Sequence, residues 1–83
     1  MATSARMSKI EAAQTVARRA VVFARRTGQP VTKLAIEEHA SEMLHCEPGT
    51  FAHIAAQTYN YKTAYRLARE SLRDSGETHL IGE

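Results

Sequence analysis

Two breaks, Gly28-Gln29-Pro30 and Cys46-Glu47-Pro48-Gly49, cut this chain into three stretches of helical period. Proline lacks a backbone donor and glycine accepts the left-handed conformation, so each cluster closes one helix and prepares the next. In the first stretch Ser8 stands at an N-cap position with Glu11 three residues on, a capping-box pattern, and predicts a helix from Lys9 to Thr27. Its core-facing stripe is Ile10, Ala13, Ala17, Ala20, Val21 and Ala24. A second helix is predicted from Thr32 to His45, with Ile36, Ala40, Met43 and Leu44 on one side and Glu37, Glu38 and Glu42 on the other. The third stretch, Thr50 to Ser75, carries Phe51, Ile54, Thr58, Tyr61, Tyr65, Ala68 and Leu72 at alternating spacings of three and four, the mark of a buried seam. Thr, Tyr and Asn lower the helix propensity near Gln57 to Asn60, where the seam is open to interruption. No strand pattern, repeat or low-complexity segment competes.

The expected fold is therefore all-α, a small three-helix domain over residues 8–76, with a disordered N-terminus at 1–7 and a flexible tail at 77–83. A chain of 83 residues buries only about 60% of its unfolded surface. Much of its 43% hydrophobic content is alanine, so the core is thin. Such domains need a staple, a metal or a second subunit. Cys46 is the only cysteine, which leaves oligomerisation, a homodimer or higher assembly, as the expected remedy. The longest apolar run, Ala20 to Ala24, is too short for a signal peptide or a membrane span. A lone cysteine and no export signal suit a reducing, cytoplasmic setting.

The net charge of +2 is modest; its distribution is what carries information. At about 100° per residue, Arg18, Arg19, Val22, Arg25 and Arg26 share one arc of roughly 120° on the first helix, opposite the alanine stripe. Guanidinium groups bind phosphates and carboxylates through paired hydrogen bonds. The same arginines also have a plainer use, keeping the protein soluble or pairing with Glu37, Glu38 and Glu42, at about 0–1 kcal/mol for each surface pair. A second basic row, Lys62, Arg66, Arg69 and Arg73, follows the third segment at spacings of four, three and four. Tyr59 and Tyr61 stand beside it, an aromatic and basic mixture suited to nucleic acid. Tyr61 and Tyr65 lie on the seam and serve equally as core, which makes Tyr59 the better exposed contact.

The segment Ile36 to Ile54, IEEHASEMLHCEPGTFAHI, resembles the helix-turn-helix of small transcription regulators and excisionase-type proteins. The resemblance places Glu37, Glu38, Ala40 and Ser41 in the first helix, with Met43 and Leu44 on its core side. Glu47-Pro48-Gly49-Thr50 then opens the recognition helix, and Phe51 and Ile54 turn inward. It implies that Gly49, Thr50, His53 and Gln57 face the bases while arginines elsewhere hold phosphates. Ala52 and Ala56 also point outward in that register, which suits a protein or dimer contact better than base readout.

His39, His45, Cys46 and His53 include zinc-ligand types but repeat no ligand spacing, so no metal site is expected. Cys46 is expected to be a half-buried small side chain rather than a nucleophile. Leu80 and Ile81 read as part of a frayed tail. Paired carboxylates, a glycine-rich phosphate loop and a nucleophile elbow are missing, so neither catalysis nor a cofactor is expected. Two binding functions remain open, beside a third reading in which the chain is a subunit of a larger helical assembly with no ligand of its own. One is a small DNA-binding regulator whose Arg18, Arg19, Arg25, Arg26 and Lys62 to Arg73 row neutralise phosphates. The other is a small adaptor or inhibitor, of the sort mobile elements encode, that sets Val22 and its ring of arginines against an acidic protein surface.

Overall fold

Ser8 accepts the Glu11 amide and Glu11 returns a carboxylate to the Ser8 amide, so the capping box forms and starts α1, Lys9–Thr27. Gly28 closes it at φ 79°, a left-handed cap that L side chains rarely adopt, with its amide donating to the Ala24 carbonyl at 2.7 Å. The computed structural model describes residues 7–82 and continues with α2, Lys33–Leu44, capped by Thr32. The disordered segment expected at residues 1–7 lies outside the described residues except for Met7, which packs on the core.

The expected three-helix architecture is corrected: the described residues form four α-helices. The third segment breaks into α3, Phe51–Thr58, and α4, Tyr61–Asp74. Tyr59 is extended, and the Asn60 side chain accepts the Thr63 amide at 3.0 Å, so an asparagine N-cap begins a new helix where a continuous one was expected. Asparagine favours this arrangement because its side chain competes with helical backbone hydrogen bonding and then satisfies an orphan amide at a helix start. The break also resets the buried face. Phe51, expected at the head of the seam, is 63% exposed, while Ala55 and Ala56 are buried. Beyond the break the buried positions are Ala64, Ala68 and Leu72.

Most of the core is alanine. Ala12, Ala13, Ala17, Ala20 and Ala24 of α1 are buried together with Val16 and Val21, and α1 packs against α2, α3 and α4. Small side chains let helix axes approach near the short end of the usual range of about 8–10 Å. Ile36 and Met43 of α2, Leu72 of α4 and Val31 supply most of the remaining bulk. Ile10, assigned to the α1 stripe from its spacing, is instead half exposed at the first turn.

Residues 77–83 were expected as a flexible tail, and the structure corrects this as far as Gly82. Thr78–Leu80 forms a 3-10 turn, and Leu80 is buried. The Val31 amide donates to the Leu80 carbonyl at 2.7 Å and the Gly82 amide to the Val31 carbonyl at 2.9 Å, making a parallel bridge between Val31 and Ile81. The Tyr65 hydroxyl then donates to the Gly82 carbonyl at 2.8 Å. A β-carbon at Gly82 would lie 2.7 Å from Thr32 Cγ2, so this closure uses the absence of a side chain. Among the described residues, no helix is long and apolar enough to cross a membrane.

Candidate functional site

The arginine face of α1 divides once the other helices are in place. Arg25 leaves the group: its Nε donates to Glu77 Oε1 at 2.8 Å, beyond the end of α4. Arg19 turns toward α2, with Nη2 3.5 Å from Glu42 Oε1. Arg18 and Arg26 have no acidic partner within 4.0 Å among the described residues. Thus two of the four guanidiniums hold the fold's own carboxylates and two do not.

Arg18, Arg19 and Arg26 border a groove of about 590 Å³ between α1, α2 and the start of α3. Its floor is apolar. Val22 is 46% exposed, Phe23 45% and Phe51 63%, and all three line it. Phe51 is placed there because Thr50 caps α3, setting the phenyl group on the first helical residue. His39 of α2 completes the wall, its ring edge-on to Phe23 with 5.0 Å between centroids.

His39 is the buried polar residue of this region, and its Nδ1 has no hydrogen-bond partner; Glu42 Oε1 is 4.0 Å away. Burial holds its pKa below the ordinary histidine value of 6.5, with Arg19 adding to the effect and Glu42 and Glu38 opposing it. The folded state therefore favours the neutral ring, and the unfolded chain takes up a proton more readily. This contribution to stability is fully present above pH about 6.5 and is lost as pH falls through that value toward the folded pKa. Urea unfolding between pH 8 and pH 5 is expected to show this slope, and His39→Phe to flatten it. An unchanged slope in His39→Phe would assign it to other groups.

The second row lies along α4. Lys62, Arg66 and Arg73 are exposed on α4, and Arg69 is half-buried between them. Arg66 Nε lies 3.9 Å from Glu70 Oε2, a weak surface pair. The Arg69 guanidinium sits 5.4 Å from the centre of the Tyr65 ring, and its buried Nε has no hydrogen-bond partner. Tyr59 and Tyr61 are both half-buried and pack on the core, so Tyr59 is not the free aromatic its sequence position suggested. Burial, then the Glu37 carboxylate, keeps both phenols protonated above their ordinary range.

Two of the four residues assigned to base reading, Thr50 and His53, are occupied internally, while Gly49 and Gln57 are exposed. Thr50 accepts the His53 amide at 3.3 Å and donates to the Glu47 carbonyl at 2.7 Å. His53 Nδ1 lies 3.1 Å from the Leu44 carbonyl. Six residues, His45 to Thr50, separate α2 from α3, and Ala56, expected to face outward, is buried. A much tighter connection joins α3 to α4, where only Tyr59 and Asn60 intervene.

The histidines and Cys46 do not converge. His45 Nδ1 lies 2.8 Å from the Ser41 carbonyl and Cys46 Sγ 4.0 Å from that of Glu42. Among the described residues no group of three acidic, histidine or cysteine side chains is arranged to hold a metal ion.

Sequence reasoning found the arginines and Val22 but missed Phe23, Phe51 and His39 as parts of the same surface. Phe23 follows Val22 at the edge of the arginine arc, a signal that was present; Phe51 was hidden by its place in the spacing pattern. The chain matches no protein-family model, and comparisons with curated proteins and solved structures likewise give no significant match.

Proposed function

We propose that this chain is a small non-enzymatic nucleic-acid-binding protein, with DNA as the favoured target, and that α4 is the element that meets it. The observation that carries the reading is the row Lys62, Arg66, Arg69 and Arg73, which occupies one side of α4 directly after a two-residue turn from α3. In helix-turn-helix proteins the second helix enters the major groove while the first crosses the backbone, and α3 and α4 are the pair joined tightly enough for comparison. Arg66 and Arg73 are exposed arginines able to pair with guanine edges or phosphates, and Lys62 adds a charge near the helix start. Tyr65 holds Arg69 in place and its hydroxyl ties α4 to Gly82, so the row rests on a braced helix. Arg19 and Arg25, already engaged by Glu42 and Glu77, contribute less to phosphate binding than their sequence positions suggested.

Three exposed cations acting on phosphates give an expected slope of about −3 in log affinity against log salt, since each neutralised phosphate contributes about −0.9. Fluorescence anisotropy of a labelled duplex over a salt series measures it. Arg73→Ala is expected to weaken binding and to make the slope shallower by about 0.9. Lys62→Glu combined with Arg66→Glu should abolish binding at moderate salt while the circular dichroism spectrum stays unchanged. Absence of binding at low salt, or affinity indifferent to these α4 changes, overturns the proposal.

A further inference from the structure

None of the α4 residues proposed to meet DNA lines the groove of α1, α2 and α3, which combines three features that a solvated surface does not require. Val22, Phe23 and Phe51 place three large apolar side chains side by side in water. Arg18 and Arg26 border them without acidic partners among the described residues, while the groove's own carboxylate, Glu42, is paired with Arg19, which leaves the lining with an excess of two positive charges. His39, lining the same groove, holds a buried Nδ1 that no group of the fold satisfies. Exposed apolar surface inside a polar rim is the usual form of a protein contact, and cations at that rim select the sign of the partner.

We infer that this groove docks an acidic segment of a partner protein, with one large apolar side chain on Val22, Phe23 and Phe51 and carboxylates on Arg18 and Arg26. The dimensions favour a peptide segment. Arg18 and Arg26 are eight residues apart on one helix, about 12 Å along its axis at 1.5 Å per residue. Two carboxylates at comparable separation, roughly two turns of helix or four residues of extended chain, reach both cations with the apolar anchor between them. Duplex DNA supplies the charge, but its bases are stacked on one another within the helix and do not cover the phenyl rings. Charge complementarity therefore chooses an acidic partner, and the apolar floor chooses protein.

Selection of a random twelve-residue peptide display library against the intact protein tests the assignment. Enriched peptides are expected to share acidic residues on both sides of a large apolar residue. The affinity of one such peptide, read by fluorescence anisotropy, should fall about tenfold or more with Val22→Glu and with Arg18→Glu plus Arg26→Glu. It should change less than about twofold with Lys62→Glu plus Arg66→Glu, the pair that tests the α4 proposal, so the two surfaces fail or stand separately. Val22 and both arginines are exposed, and circular dichroism verifies that the variants remain folded. Three outcomes overturn the inference: enrichment without acidic residues, affinity unmoved by the groove variants, or displacement of the peptide by duplex DNA in the α4 variant. A fourth is self-association in sedimentation that the groove variants abolish, which would make the occupant a second copy of this chain.

Discussion

Leu72→Ala is expected to destabilise the domain by about 2–5 kcal/mol, toward the upper part of that range. Leu72 is fully buried and is the largest fully buried side chain that α4 gives to the core. The cost of truncation has two parts, the lost transfer of the removed carbons and the cavity left behind, and the second depends on whether neighbours move in. Here they have little reach. Ala64 and Ala68 precede Leu72 on the buried face of α4, and the facing side of α1 is largely alanine. An alanine has no rotamer with which to fill a void, so the cavity stays open. With total stability for such a domain near 5–15 kcal/mol, a loss of about 4 removes a large part of it. The midpoint of thermal unfolding should fall by roughly 15–30 °C, at about 4–8 °C per kcal/mol for a domain of this size. Leu72→Met, which keeps the volume, should cost less than about 1.5 kcal/mol. Urea and thermal unfolding followed by circular dichroism provide the comparison; a Leu72→Ala cost below about 1 kcal/mol contradicts the packing described.

The reason alanine dominates this core also explains which parts of the fold the sequence disclosed. Helix α1 was legible because both ends are written locally, by Ser8 with Glu11 and by Gly28, and its alanine stripe has one period throughout. The third segment was misread where side-chain size and burial part company. Phe51 outweighs Ala55 and Ala56 on any hydrophobic scale, so it was placed inward and Ala56 outward. Close approach to the alanine face of α1 reverses that ranking, since the helices meet through small residues and the phenyl group is left in the groove. The same limit applies to the arginines. Their common arc follows from spacing alone, but Glu42 and Glu77, which engage Arg19 and Arg25, lie 23 and 52 residues away along the chain. Whether a surface cation is spent within the fold is a tertiary fact, and it decides that, of the three arginines bordering the groove, Arg18 and Arg26 are the ones without an acidic partner among the described residues.

The end of the described chain supplies the other large effect, with Leu80→Asp expected to cost at least about 3 kcal/mol. Leu80 is 3% exposed, in a short segment with no helical or alternating period to advertise burial. Its receiving partner, Val31, is 1% exposed and sits between α1 and α2, far off in sequence. An aspartate here must either bury a charge, protonate to avoid doing so, or pull the segment away from the domain, and each course costs free energy. Pulling away gives up the hydrogen bonds from Val31 to Leu80, from Gly82 to Val31 and from Tyr65 to Gly82, as well as the apolar contact. The change should therefore appear both in global stability and locally, as faster hydrogen exchange at the Val31 and Gly82 amides. Thr78→Asp, at an exposed position two residues earlier, adds the same charge and should stay within about 0.5 kcal/mol of the parent. Equal stability of the two variants would return residues 77–83 to the frayed tail first expected. A loss confined to Leu80→Asp makes the segment a structural clamp, one that braces α4 through the Tyr65 hydroxyl bond to Gly82.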